Sequence, residues 1–207
     1  MTDLFGSINK QICPMYYMNL DKRVKRRTLM ENEMKKNGLN IIRFSAIDGC
    51  AMERKNKFIS KGRYGCWMSA YKLWEKVRDS ETSILFEDDI VFCENFKQKL
   101  KIILEEANGL DYDMLLLAHN WHKGRLKKPV TDNISTIGVF HGMQAYVITP
   151  KCAAYLCERF KDSTAWPKPK DVLIGEINVA NDIKIYTATK NLVTLHRLSG
   201  GSDTNRG

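Results

Sequence analysis

The sequence has no C-x-x-C pair, no long apolar run and little proline, with five prolines in 207 residues. Each absence removes a class of protein. The six cysteines (Cys13, Cys50, Cys66, Cys93, Cys152, Cys157) have no histidine at zinc-finger spacing, so neither a structural zinc site nor a redox pair is indicated. Reduced, semi-buried thiols are expected. Apolar runs such as Met114 to Ala118 are far too short to cross a bilayer, and the opening MTDLFGSINKQ lacks the basic-then-apolar order of a signal peptide. A cytoplasmic location follows as the expectation. Without a Gly/Ser/Pro-rich linker, low-complexity tract or internal repeat, a single domain over 1–207 is expected, with its core over about 12–198 and mobile ends.

Acidic residues are also in short supply: 24 against 33 basic ones, a net charge of +9 and a pI near 9.2. Such a surface favours anionic partners, whether nucleic acid, an acidic membrane surface touched peripherally, or a phosphorylated small molecule. The densest basic stretch is DKRVKRR, Asp21 to Arg27, for which a solvated helix face is the plain alternative.

Periodicity gives the order of elements. PMYYMNL is a first strand that delivers Asn19 and Asp21 at its carboxyl end, and Asp21 is placed to cap a helix through KRVKRRTLMENEMKKN, stopped at Asn37-Gly38. NIIRFSAID is a second strand, completing a βαβ unit whose ligands would gather at the carboxyl ends of the strands. In YGCWMSAYKLWEKVRDS, Trp67, Ala70, Tyr71, Trp74 and Val77 repeat at helical spacing, with Trp67 and Trp74 read as core aromatics. A strand in SILFEDDIVF, a helix in ENFKQKLKIILEEAN and a strand in YDMLLLAHN follow. The back part is more antiparallel: STIGVFHGMQAYVITP as a hairpin, a helix opening at Pro150, and one or two strands in DIKIYTATKNLVTLH. The sum is a mixed α/β architecture.

The chemistry concentrates at Glu87, Asp88 and Asp89. In one continuous strand Glu87 and Asp89 would point one way and Asp88 the other, between apolar triplets that mark a buried strand. Carboxylates taken out of water need a positive partner. It is either a Lys or Arg brought in by folding or a divalent cation, for which carboxylate oxygens are natural ligands.

Five segments in order resemble glycosyltransferase family 25. MYYMNLDKRVKRR is similar to its opening I-N-L-D-x-R-x-x-R and RFSAIDG to its A-x-D-G segment. GCWMSAYKLWEKV resembles G-C-x-x-S-H-x-x-x-W, ILFEDD resembles I-x-E-D-D, and GMQAYVITPKCAAYL resembles G-x-x-A-Y-x-I-S-P-K-G-A-x-x-L. The sequence departs from the family pattern at Ala70, which stands where the pattern has His.

The resemblance implies a single GT-A-like nucleotide-sugar-binding α/β domain with a mixed, mainly parallel central sheet. It implies an inverting transferase that moves a hexose, galactose or glucose, from a UDP-sugar to a hydroxyl of a glycan or protein acceptor, assisted by Mn²⁺ or Mg²⁺. Carried over residue by residue, Asp89 is the metal ligand, while Glu87 and Asp88 serve the ribose or the second coordination shell. Asn19, Arg23 and Asp48 would lie beside the nucleotide; Ser69 and Lys72 would face the diphosphate, with a solvated Lys72 as the alternative. Inversion requires a general base, assigned to Asp171 with Glu176 as runner-up. His196 is a candidate metal ligand, and Gly200 to Asp203 a mobile closing segment. Two rival functions remain at this level: a metal-dependent phosphodiesterase or nuclease, although specific nucleic-acid binding is not expected, and a non-catalytic nucleotide-sugar-binding domain.

Overall fold

Strand β1 (Met15–Asn19) leads through helix α1 (Val24–Asn37) into β2 (Ile42–Ser45), which pairs with β1 in parallel. The α1 C-terminus is closed by Gly38 at φ 58, in the left-handed region where glycine carries no Cβ penalty. This is a computed structural model, and it describes residues 13–53, 59–123, 128–162 and 166–196. The expected closing segment Gly200 to Asp203 and both chain ends lie outside the described residues.

Helix α2 (Lys61–Val77) starts at Ser60, whose hydroxyl accepts the Arg63 amide, and leads into β3 (Ser83–Glu87), parallel to β1. After β4 (Ile90–Phe92) and α3 (Phe96–Ala107) come β5 (Met114–Ala118), β6 (Trp121–Lys123), β7 (Ile134–Thr136), β8 (Val139–His141) and β9 (Ala145–Ile148). Helix α4 (Pro150–Arg159), helix α5 (Lys170–Val179), β10 (Ile185–Ala188) and β11 (Val193–Leu195) complete the order. Seven strands form one sheet in the order β2-β1-β3-β9-β5-β10-β7, in which β9 and β7 run against the other five. This is the mixed, mainly parallel sheet expected.

Alternation along β3 distributes the core to both faces. Leu85 joins the layer of Trp67, Leu73 and Trp74 under α2, while Ile84 and Phe86 join Met30, Phe96 and Leu100 under α1 and α3. The tryptophans of α2 are core residues: Trp74 is fully buried and donates its indole N–H to Tyr146 Oη at 3.0 Å.

Three local expectations are corrected. SILFEDDIVF is not one strand: β3 ends at Glu87, and β4 leaves to pair antiparallel with β11 in a separate ribbon. Asp88, buried, and Asp89, half-buried, require a counter-charge more than a ladder partner, and Arg26 meets both at this bend. STIGVFHGMQAYVITP is not a hairpin. The AYVI run of β9 is apolar on both faces and fits between β3 and β5, whereas β8 turns out to β6. Finally, Asp21 does not cap α1, which starts without a side-chain cap at Arg23; the Asp21 carboxylate instead pairs with Arg43 and accepts the Ser45 hydroxyl at 2.9 Å.

Candidate functional site

Because β1, β2 and β3 run in the same direction, their carboxyl ends converge on one cleft, lined in part by Leu20, Ile47, Asp48, Ser69, Asp88 and Asp89. The loop after β2 is shaped by close approach. A Cβ on Gly49 would overlap the Lys61 carbonyl oxygen, and one on Gly65 would overlap the Gly49 amide, so the two glycines let the short 3₁₀ turn Gly49–Ala51 sit directly on α2. Ser69 locks the contact by donating to Gly65 O at 2.6 Å and accepting the Ile47 amide at 2.8 Å. Asp48 caps the turn through Cys50 N at 3.0 Å and pairs with Lys22. The Lys22 partnership holds its carboxyl below the usual range.

The acidic residues meet cations brought in by folding. Arg26 Nη1 lies 2.9 Å from Asp88 Oδ1 and 3.0 Å from Asp89 Oδ2, with its side chain only 9% exposed. The other Asp88 oxygen accepts the Asn19 amide at 2.7 Å, and Asn19 Oδ1 in turn accepts Arg43 Nε at 3.0 Å. Asn19 is thus a buried bracket for Asp88. The basic stretch is a solvated face only in part, since Arg26 points inward.

Glu87 stands in the wall between this cleft and a second cavity, and so does Cys66. Lys170 Nζ, buried, lies 3.5 Å from Glu87 Oε1 and 2.9 Å from Cys66 Sγ. Burial pushes the Glu87 carboxyl up to about 7 against the pull of Lys170, with Asp89 and Asp88 adding to the rise. Burial opposes the Lys170 ammonium as well, yet Cys66, Glu87 and Asp171 around it outweigh burial and raise its pKa. The second cavity also contains Asp171, in the first turn of α5. Asp171 Oδ2 accepts the Gly142 amide at 2.6 Å and lies 4.0 Å from His141 Nδ1. Gly142 adopts φ +84, a turn that glycine allows and that presents this amide to the carboxylate.

The remaining expected residues are dispersed. Glu176 pairs with Lys168 at 2.6 Å and lines neither cavity. Lys72 pairs with Glu75 at 2.6 Å along the exposed side of α2 and also lines neither. Arg23 sits at the start of α1, its carbonyl 3.3 Å from the Asn19 amide. His196 is brought to the acids: its main-chain N–H donates to Asp89 O at 2.6 Å, continuing the β11–β4 pairing. Ala70 is fully buried in the layer beneath α2, so position 70 is a packing position here.

Residues at the site that were not singled out from sequence include Lys22, Arg26, Cys66, His141 and Lys170. Arg26 carried a signal, as the last Arg of the opening motif, and Lys170 is the immediate neighbour of Asp171. Cys66 carried one too, as the Cys of the G-C-x-x-S-H-x-x-x-W segment, whereas His141 carried none that distinguishes it from an ordinary residue.

For the expected Mn²⁺ or Mg²⁺, no group of three or more His, Cys, Asp or Glu among the described residues is arranged as a metal cage. These cations commonly bind through one or two carboxylates plus substrate phosphates. Asp89, in the cleft, fits a metal of that kind, held jointly with a diphosphate rather than by protein alone, whereas His196 is tied to Asp89 through its main-chain amide and is not among the cleft-lining residues.

A cleft outside the carboxyl ends of parallel strands is where open α/β sheets bind their ligands. The chain belongs to glycosyltransferase family 25: the profile described as "Glycosyltransferase family 25 (LPS biosynthesis protein)" matches residues 12–141. It is 30% identical over 116 residues to a glycosyltransferase 25 family member of Aedes aegypti, covering 46% of this chain and 19% of that one. With procollagen galactosyltransferase 2 of Mus musculus it shares 23% over 135 residues (56% and 22% covered). With inactive glycosyltransferase 25 family member 3 of Homo sapiens it shares 38% over 63 residues (28% and 11%). The chain thus spans a quarter or less of the length of these curated relatives. Among solved structures it is similar to a glycosyltransferase involved in the glycosylation of the major capsid of PBCV-1, with 9% identity, 76% and 71% coverage and a TM-score of 0.41. No helix among the described residues is long and apolar enough to cross a membrane.

Proposed function

We propose that the chain is an inverting hexosyltransferase that uses a UDP-sugar, with Mn²⁺ or Mg²⁺, to glycosylate a hydroxyl of a glycan or protein. The observation that carries this reading is the pair of cavities divided by Glu87: the acid-floored cleft on one side, Asp171 on the other. In this reading the nucleoside diphosphate occupies the cleft at the ends of β1, β2 and β3, and the acceptor enters the second cavity. Asp89 would hold the metal, which supplies positive charge for the departing diphosphate. Lys22 and Arg26 line the same cleft and add fixed positive charge beside it.

Asp171 is the base. Its Oδ2 is oriented by the Gly142 amide, and Asp171 takes the proton of the acceptor hydroxyl as that oxygen attacks the anomeric carbon from the face opposite the leaving group. Glu176, paired outward with Lys168, has no path to that proton. Galactose and glucose stay as donors; the procollagen galactosyltransferase relative supports testing UDP-galactose first.

A second reading is a donor-binding domain without turnover, favoured by the similarity to inactive members of the family. Incubation with UDP-galactose or UDP-glucose and Mn²⁺ separates the two. Release of UDP above the background of an Asp171→Asn chain supports the transferase; binding without release supports the second reading.

A further inference from the structure

We propose that Lys170 is a positioning residue: its ammonium ties the first turn of α5, which carries Asp171, to Glu87 at the end of β3, and so holds the base in register with the donor cleft. This rests on the transferase reading for its consequence in catalysis, but not for the tether itself.

The segment ahead of α5 is fastened to α2 in two places. Trp166 stacks on Trp67 with ring centroids 4.6 Å apart, and Trp67 Nε1 donates to Lys168 O at 3.0 Å. Both contacts end before the helix. α5 then starts at Pro169, which has no side chain able to cap it. In its first turn the Val172 amide donates to Asp171 Oδ1 at 3.0 Å, and a helix start without an N-cap side chain leans on tertiary contacts to resist fraying. Lys170 occupies that first helical position, and its buried side chain reaches Cys66 Sγ on α2 and Glu87 Oε1 on β3. A buried ammonium is expensive to desolvate and persists only where partners compensate it. Here the compensation spans two elements: Glu87 belongs to the wall of the donor cleft, and the residue after Lys170 is the base. Gly142, just after β8, orients the Asp171 carboxylate, and its loop reaches β3 through Gln144 O, which accepts the Glu87 amide at 2.9 Å, but this route does not join α5 directly to β3. Lys170 does.

Removing the tether is expected to let the base drift relative to the donor. A displacement of about 1 Å in a reacting group lowers rate by about 10²-fold. Transfer to an acceptor, which needs two bound partners in register, should suffer more than hydrolysis of the donor by water. A merely structural loss lowers both together.

The test uses Lys170→Met, with Lys168→Met as a control in the same segment that removes an exposed ion pair. Hydrogen exchange at Val172, Leu173 and Ile174 is expected to speed by about tenfold or more in Lys170→Met and to stay at wild-type rates in Lys168→Met. The ratio of transfer to donor hydrolysis is expected to fall in Lys170→Met alone. Glu87→Gln removes the partner instead of the lysine and is expected to speed the same amides, which keeps the test standing if Lys170→Met does not fold. Wild-type exchange at these amides in Lys170→Met or in Glu87→Gln overturns the proposal, as does a parallel loss of transfer and hydrolysis in Lys170→Met. If exchange speeds as expected but wild type neither transfers nor hydrolyses a UDP-sugar, the tether stands and the transferase reading fails.

Discussion

One guanidinium nitrogen of Arg26 bridges Asp88 and Asp89, 2.9 Å from the first and 3.0 Å from the second, although the residues are 62 and 63 positions apart. Folding thus brings one positive charge from α1 against two carboxylates just past the end of β3. The same carboxylates face the cleft, so the bridge both closes the fold and sets the floor of the site.

Arg26→Met is therefore expected to destabilise the chain by about 3–5 kcal/mol, because truncating one member of a buried pair leaves the other charge uncompensated. Urea unfolding measures it. A change under about 1 kcal/mol would mean that Arg26 behaves as a solvated helix residue.

Tyr146 offers a contrast in which stability moves without function. Its hydroxyl accepts the Trp74 indole N–H at 3.0 Å, both side chains are fully buried, and neither lines the two cavities. Tyr146→Phe should lose about 1–3 kcal/mol through the stranded indole donor. UDP affinity at a temperature well below the unfolding transition should stay within about twofold, since this prediction concerns burial alone.

The two carboxylates of α5 separate cleanly. Asp171→Asn should lower transfer by about 10²–10⁴-fold, as for loss of a general base, while UDP binding persists. Glu176→Gln breaks only an exposed pair with Lys168 and should leave transfer near wild type. Initial rates at saturating donor, with both variants side by side, check the assignment; an inactive Glu176→Gln with an active Asp171→Asn would reverse it.

What could be read in advance depended on the range of the interaction. Strand and helix identity followed from local alternation, so β1, α2, β3 and α4 were legible, as was the helix start at Pro150, where the Thr149 hydroxyl accepts the Cys152 amide at 3.2 Å. The turn at Asp88-Asp89 was not, because the apolar triplets on either side look alike while one enters the main sheet and the other a two-stranded ribbon. The place of β9 escaped for a similar reason: its pairing with β3 and β5 depends on partners some 30 to 60 residues away. At the site, acids announce themselves by composition, whereas their cations do not. Apart from its match to the last Arg of the opening motif, Arg26 looks like any other member of a basic run, and Lys170 like one of two Pro-Lys repeats, until folding buries them. Lys72 shows the converse, a lysine of a family-like helix that folding leaves paired to Glu75 outside the cleft.

The central claim is that the cleft at the ends of β1, β2 and β3 takes a nucleoside diphosphate through a metal shared with Asp89. Calorimetric titration of UDP into wild type and Asp89→Asn, each with and without Mn²⁺, tests it most directly. The account predicts weak uptake of Mn²⁺ alone, UDP binding that Mn²⁺ strengthens by about tenfold or more in wild type, and no such gain in Asp89→Asn. Equal UDP affinity in all four titrations, or tight Mn²⁺ binding without nucleotide, would contradict it.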